Sequence, residues 1–195
     1  MWDGILRFNQ LPNDGYISDI LSKDLFDNLL KEALECEHTE PTLFTDIDNE
    51  LTCPHYKVSE KNINDLSAFL NSYIKEYDRE YGYLKTIKVL TENRPWVFQQ
   101  PWYNVQRPND YLPCHYHDGV ISYTIWLKLP SKSQFTFVYN TITGKMSTYD
   151  INLTPNNVGE FIIFPSTLNH IVYPYPSDNL NESRISLSGN ILLKG

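Results

Sequence analysis

The spacing of hydrophobic residues changes near the middle of the chain. In the first half, apolar residues recur at helical spacing in residues 22–36 and 61–81, and each stretch forms one apolar stripe. After Pro95, apolar and polar residues alternate in short runs instead. The pattern predicts two amphipathic helices followed by a β-rich region.

The alternating region predicts short strands that are separated by turns. Prolines fall at the ends of the runs, where a missing N–H is tolerated, and TITGK at residues 141–145 is typical of a hairpin turn. Residues 4–9 predict a short edge strand, and the polar segment 39–60 predicts a loop with at most one short strand. Short strands joined by turns are typical of a sandwich or barrel. The other predicted strands are residues 96–106, 121–129, 134–142, 146–153, 159–164, 169–173 and 183–193.

The two helices must bury their apolar stripes, so we expect them to pack on the outside of a sheet. A chain of 195 residues suits one domain with a core that is stable unaided. We therefore predict a single mainly β (α+β) domain over residues 1–195. Within it, residues 1–95 form a mostly helical support and residues 96–195 form the β core.

Composition and charge narrow the possible partners. The aromatic share of 14% suits a β-rich protein, and a formal net charge of -8 makes nucleic acid a less favoured partner. The sequence shows neither a signal-peptide pattern nor a run of about 18 apolar residues. Its three cysteines are an odd number without framework spacing, which indicates reduced thiols. We expect a cytoplasmic protein without membrane association.

Histidines supply the first candidate chemistry. His115 and His117 are two residues apart, so in an extended chain both imidazoles lie on one face. Neutral imidazoles on one face can begin a site for iron, copper, nickel or zinc. His170, at the end of a later apolar strand, could complete the site, because a histidine after the FPSTLN turn is well placed to point into a barrel mouth; the alternative is a core histidine bonded to backbone.

Four motifs together resemble the Fe(II)/2-oxoglutarate-dependent oxygenase superfamily. They are HYH at residues 115–117, ISYTIWLKLP at 121–130, FPSTLNH at 164–170 and RIS at 184–186. The motif sequences are most similar to those of a phage and marine bacterial branch with a His-x-His motif, and the resemblance covers residues 96–192. It implies a double-stranded β-helix, or jelly roll, as the catalytic core, with the N-terminal helices packed on one sheet.

The resemblance also implies cofactors and site residues. Fe(II) would be held by His115, His117 and His170, with no catalytic residue beyond these metal ligands. The distal carboxylate of 2-oxoglutarate would be bound by Arg184, whose guanidinium suits a carboxylate, and by Ser186 on the same face of the strand. Asn104 is a further candidate for this pocket, and so are Tyr111, Thr124 and Trp126.

The implied reaction couples oxidative decarboxylation of 2-oxoglutarate by O₂ to hydroxylation of a substrate. That substrate could be a peptide, a protein side chain or a small molecule. Two other functions fit the pattern: a catalytically silent jelly-roll module that binds metal, and a three-histidine cupin-type dioxygenase that does not use 2-oxoglutarate. Arg184 argues against the silent module, because a structural metal site has no need of a carboxylate-binding arginine.

The middle metal ligand is a departure from the superfamily. Most members have a carboxylate where this chain has His117, and Asp118 follows directly. Strand alternation places Asp118 on the face opposite to His115, unless Gly119 bends the chain early. We therefore predict His117, with Asp118 as the alternative.

Overall fold

The computed structural model describes residues 7–9, 15–41, 53–87, 95–141 and 143–194. The helices are α1 (Lys23–Cys36), α2 (Glu60–Tyr81) and the short α3 (Tyr83–Thr86). The strands are β1 (Arg7–Asn9), β2 (Tyr16–Ile20), β3 (His55–Lys57), β4 (Trp96–Phe98), β5 (Trp102–Gln106), β6 (Leu112–His115), β7 (Ile121–Lys128), β8 (Ser133–Asn140), β9 (Met146–Leu153), β10 (Glu160–Pro165), β11 (Asn169–Val172) and β12 (Arg184–Leu193).

Two antiparallel sheets contain these strands. The large sheet has the order β1-β2-β10-β7-β12-β5-β3, and β4 also pairs with β12. The small sheet has the order β6-β11-β8-β9. The mainly β jelly-roll fold predicted from the sequence, with helices against one sheet, is confirmed.

Helix α2 is defined by residues at both of its ends. The Ser59 hydroxyl accepts a hydrogen bond from the backbone N–H of Asn62, as an N-cap should. Gly82 ends the helix with φ of 61°, in the left-handed region that glycine adopts without a steric cost. Between these ends, the buried residues Leu66, Leu70, Ile74 and Tyr77 follow one another at intervals of about one turn.

Alternation along the central strands divides the interior into two parts. In β12, Ile185 and Leu187 belong to the core that α1 and α2 form with the large sheet, whereas Arg184 and Ser186 line a cavity between the two sheets. The same alternation holds along β5 and β7. A second core, which includes Phe135, joins the two sheets. Because side chains alternate along a strand, one face of each strand packs toward the helices and the other, which carries most of its polar residues, lines the cavity.

Some predicted elements differ in detail. The strand predicted at residues 96–106 is divided into β4 and β5, and strands β2 and β6 were not predicted. Residues 7–9 of the predicted edge strand form β1 at the edge of the large sheet, and residues 4–6 lie outside the described residues. The short strand allowed within residues 39–60 is β3.

The division of the domain at residue 95 stays a prediction. Strands β1, β2 and β3 precede that position and join the same large sheet as the later strands. In the described ranges, no helix combines the length and the apolar character that crossing a membrane requires.

The packing of α2 on the large sheet leads to a stability prediction. Leu70 is fully buried in this core, so Leu70→Ala should lower the free energy of unfolding by about 2–5 kcal/mol through lost burial and the cavity that it leaves. Leu180, which is 63% exposed, is the matched control, and Leu180→Ala should change stability by less than about 0.5 kcal/mol. Urea denaturation measures both variants, and equal losses would contradict this account of the packing.

Candidate metal and cosubstrate site

Three histidines meet at one end of the small sheet. The antiparallel pairing of β6 with β11 places His115 opposite His170, and His117 lies two residues beyond the end of β6. One nitrogen from each ring lies within 4.8 Å of the others, and Nε2 of His117 is 3.2 Å from Nε2 of His170. No other group of His, Cys, Asp or Glu with metal-binding spacing occurs in the described part of the chain. This geometry can hold one metal ion.

Backbone carbonyls orient two of the rings. Nδ1 of His115 lies 2.6 Å from the carbonyl oxygen of Pro113, and Nδ1 of His170 lies 3.0 Å from that of Leu168. A carbonyl only accepts, so each Nδ1 carries the proton and donates it, which leaves the Nε2 lone pair available. Histidines that ligate metals are held in this way.

Burial keeps the three imidazoles neutral. Burial is the main cause and the neighbouring imidazoles are a smaller one, and together they lower the pKa of His117 to about 4 and that of His170 well below its usual value. Burial also lowers the pKa of His115. An imidazole must be neutral to ligate a metal, so the group is ready for an ion at neutral pH.

The turn after β10 holds the segment that carries His117. The backbone N–H of His117 donates to the carbonyl oxygen of Ser166 at 2.9 Å. A Cβ on Gly119 would lie 2.9 Å from the Ser166 hydroxyl and 3.2 Å from the carbonyl oxygen of Ile191. Gly119 therefore permits a close approach that a larger residue would obstruct. Asp118 is exposed and is not part of the histidine group.

A cavity of about 500 Å³ lies between the two sheets beside the histidines. All six residues proposed from the sequence line it, namely His115, His117, His170, Asn104, Arg184 and Ser186. Thr124 and Trp126 also line it, whereas Tyr111, which is 44% exposed, does not. The fold therefore brings the proposed metal ligands and the proposed cosubstrate residues to one cavity.

Arg184 is held in the wall of this cavity and is only 2% exposed. Its Nε donates to Oε1 of Gln106 at 3.2 Å, and its Nη2 donates to the carbonyl oxygen of Tyr173 at 2.9 Å. The guanidinium carbon lies 5.1 Å from the centre of the Tyr175 ring. These contacts fix the plane of the guanidinium group.

The positive charge of Arg184 has no ion-pair partner among the described residues. No carboxylate in the described residues forms an ion pair with it, and its buried Nη1 has no hydrogen-bond partner there. Burial lowers the pKa of Arg184 to about 10, so the group is still charged at neutral pH. An unpaired buried charge is costly, which makes this position suited to an anionic ligand.

Asn104 and Ser186 form a small polar network on the adjoining strands. Nδ2 of Asn104 donates to the hydroxyls of Ser186 and Ser188, at 3.2 and 3.1 Å. Its Oδ1 accepts from the indole N–H of Trp102 at 3.1 Å. The network fixes the Asn104 amide, and both serine hydroxyls line the cavity.

Gln106 lines the same cavity but was not among the residues proposed from the sequence. It lies two residues after Asn104 on β5, so period two places both side chains on the cavity face. That spacing was the only sequence clue to its position. Its contact with Arg184 follows from strand register, which the sequence does not reveal.

These features define a jelly-roll protein with a three-histidine candidate metal centre. A family model described as "Putative 2OG-Fe(II) oxygenase" matches residues 100–190, which include all six proposed site residues. The resemblance to the Fe(II)/2-oxoglutarate-dependent oxygenases is confirmed over this part of the chain. The expected cofactors, Fe(II) and 2-oxoglutarate, are those that the family description names.

Solved structures support the fold. A prolyl-4-hydroxylase from Pseudomonas putida is similar with a TM-score of 0.62 and 14% identity, covering 93% of this chain and 94% of its own. HygX from Streptomyces hygroscopicus, solved with nickel and 2-oxoglutarate bound, has a TM-score of 0.59 and 10% identity, covering 93% and 84%. The viral collagen prolyl hydroxylase from Paramecium bursaria Chlorella virus-1 has a TM-score of 0.55 and 13% identity, covering 92% and 96%. No curated protein matches the chain.

The position of His117 in the histidine group leads to a prediction about metal binding. His117→Ala should abolish stoichiometric metal because it removes one of three ligands, whereas Asp118→Ala should bind metal as the unaltered protein does. Metal analysis after dialysis against Fe(II) without oxygen measures both variants. The opposite result would assign the middle ligand to Asp118 and would contradict a three-imidazole site.

Proposed function

We propose that this protein is a non-haem iron oxygenase that couples oxidative decarboxylation of 2-oxoglutarate to hydroxylation of a substrate. One observation carries the proposal. The three-histidine group lines the same cavity as Arg184, a buried cation that has no ion-pair partner among the described residues. A metal site alone would fit many functions, but a metal site beside a buried anion site fits a metal-bound dicarboxylate.

His115, His117 and His170 are the proposed metal ligands. Three ligands on one face of an octahedral ion leave positions open for a cosubstrate and for O₂, as catalytic rather than structural sites require. Imidazole suits several metals, and iron is favoured by the family description. Three neutral ligands leave this site one charge more positive than a site with two histidines and a carboxylate.

Arg184 is the proposed partner of the distal carboxylate of 2-oxoglutarate. A guanidinium group binds a carboxylate through paired, charge-assisted hydrogen bonds, and Nη1 is available for one of them. Ser186 lies two residues after Arg184 on β12, and Asn104 lies opposite Ser186 on the neighbouring β5. We propose that these two residues complete this subsite.

When bound, Fe(II) and 2-oxoglutarate supply the oxidising chemistry, which converts 2-oxoglutarate and O₂ to succinate and CO₂ and inserts the other oxygen atom into a substrate C–H bond. The protein orients these groups and limits access of water. The cavity has an apolar wall that can limit access of water, formed by Trp126, Phe135 and Leu153. We propose that the substrate is a peptide, a protein side chain or a small molecule.

The function is tested by product formation. The protein with Fe(II), 2-oxoglutarate and O₂ should produce succinate, slowly on its own and faster when a screen of peptides and small molecules includes the substrate. Consumption of O₂ without succinate would indicate the cupin-type dioxygenase. Binding of zinc with no affinity for 2-oxoglutarate would indicate the silent module, and either result would contradict the proposal.

Replacement of Arg184 tests the anion site separately from the metal. Arg184→Met keeps most of the side-chain volume and removes the charge, so binding of 2-oxoglutarate should weaken by about 2–5 kcal/mol, the range for loss of a buried charged partner. Metal affinity should stay nearly unchanged. Anaerobic calorimetry of the Fe(II) form measures both quantities.

Arg107→Met is the matched control for this experiment. Arg107 forms an ion pair with Glu37 at 3.0 Å, its side chain is 41% exposed, and it is not among the residues lining the cavity. The control should bind 2-oxoglutarate normally. Normal binding by Arg184→Met as well would place the anion site elsewhere.

A further inference from the structure

Gln106 contacts Arg184 from the neighbouring strand. The two residues are paired in the register of β5 and β12, and Nε of Arg184 donates to Oε1 of Gln106 at 3.2 Å. Gln106 is only 1% exposed and lines the cavity. The glutamine amide is therefore part of the same wall as the guanidinium group.

The contact with Arg184 determines which way the Gln106 amide faces. A guanidinium group only donates hydrogen bonds, so the amide oxygen must be the atom that faces it. The other end of the amide is the donor Nε2, which is buried and has no hydrogen-bond partner in the described ranges. Nη1 of Arg184 is likewise buried and has no hydrogen-bond partner among the described residues.

Two buried donors without partners on two residues in contact are unusual, because buried polar groups are nearly always hydrogen-bonded and an unmet donor destabilises the fold. A ligand with two acceptor oxygens would satisfy both. A carboxylate has two such oxygens, and a keto or hydroxyl group has one.

We propose that Gln106 is a positioning and specificity-determining residue for the cosubstrate. Its Oε1 orients the Arg184 guanidinium, and its Nε2 donates to one oxygen of the distal carboxylate while Arg184 Nη1 donates to the other. Gln106 thereby selects 2-oxo acids with a carboxylate at the distal end. This inference rests on the proposed function and adds a residue to it.

Other contacts keep the Gln106 and Arg184 pair in place. The Tyr175 hydroxyl has one proton to donate and lies within hydrogen-bond distance of two backbone carbonyl oxygens, that of Glu182 at 2.8 Å and that of Gln106 at 3.2 Å, which connects the end of β5 to the segment before β12. The Tyr175 ring also lies against the guanidinium group. The pair is thus preorganised, and binding would not need to order either side chain.

Two ligands that differ only at the distal end test the proposal. Anaerobic calorimetry on the Fe(II) form compares 2-oxoglutarate with 2-oxopentanoate, which has a methyl group in place of the distal carboxylate. Gln106→Leu should weaken binding of 2-oxoglutarate by about 10- to 100-fold, the effect of one hydrogen bond to a charged group, and should change binding of 2-oxopentanoate by less than about threefold.

Gln106→Glu is the second variant and keeps the experiment informative if the leucine variant fails to fold. It preserves the side-chain shape and an acceptor for Arg184, but replaces the donor with a charged oxygen that repels the distal carboxylate. Its loss of 2-oxoglutarate affinity should exceed that of Gln106→Leu. Gln134→Leu is the control, since Gln134 is a strand glutamine bonded to Thr136 and is not among the residues lining the cavity.

The outcomes separate this inference from the proposed function. If the unaltered protein binds no 2-oxoglutarate, the proposed function fails and this inference with it. If the unaltered protein binds 2-oxoglutarate but both Gln106 variants bind it normally, only the inference is overturned. Equal weakening of both ligands would also overturn it, because Gln106 would then act on the whole site and not on the distal carboxylate.

Discussion

The pairing of β11 with β6 decides whether the three histidines can act together. In the observed register His170 lies opposite His115, and the pairing shifts between His170 and Val172. Because side chains alternate along a strand, a slip of one residue would turn His170 away from the other two. On its other edge β11 pairs with β8, where His170 lies opposite Phe137, so the register is set from both sides. The stacking of Phe135 on the His170 ring, 5.2 Å between centres, adds to this constraint.

The position of Arg184, the proposed partner of the 2-oxoglutarate carboxylate, depends on the large sheet and, through it, on the helices. The apolar residues of β12 pack toward α1 and α2, and this packing holds the intervening Arg184 on the cavity side. The protein thus stabilises a buried cation with a hydrophobic core on the far face of the same strand. Arg184 receives two acceptors and an aromatic face from its surroundings, but no described carboxylate forms an ion pair with it. Because the fold buries this cation without an ion-pair partner, the site favours an anionic ligand.

Much of this arrangement can be predicted from the sequence, because long periodic stretches and spaced motifs determine it. The stripes of α1 and α2 and the alternation of β7 and β12 are recognisable, and the motifs around His115, His117 and His170 are enough to group the three histidines. Strands β2 and β6, which were not predicted, lack such patterns. β6 contains Pro113 and has only four residues, and β2 includes Asp19, whose carboxylate is bonded by Tyr73 in the folded protein. The role of Gln106 could not be predicted, because it arises from the strand register that places Gln106 opposite Arg184.

We propose that the three histidines and Arg184 form one site that binds Fe(II) and 2-oxoglutarate together. The most direct test is visible absorption of the unaltered protein with Fe(II) as 2-oxoglutarate is added without oxygen. Chelation of the metal by a 2-oxo acid produces a weak charge-transfer band in the visible range. We expect this band to appear and to saturate at one equivalent of 2-oxoglutarate per chain. Absence of the band in protein that has bound one Fe(II) would contradict the claim.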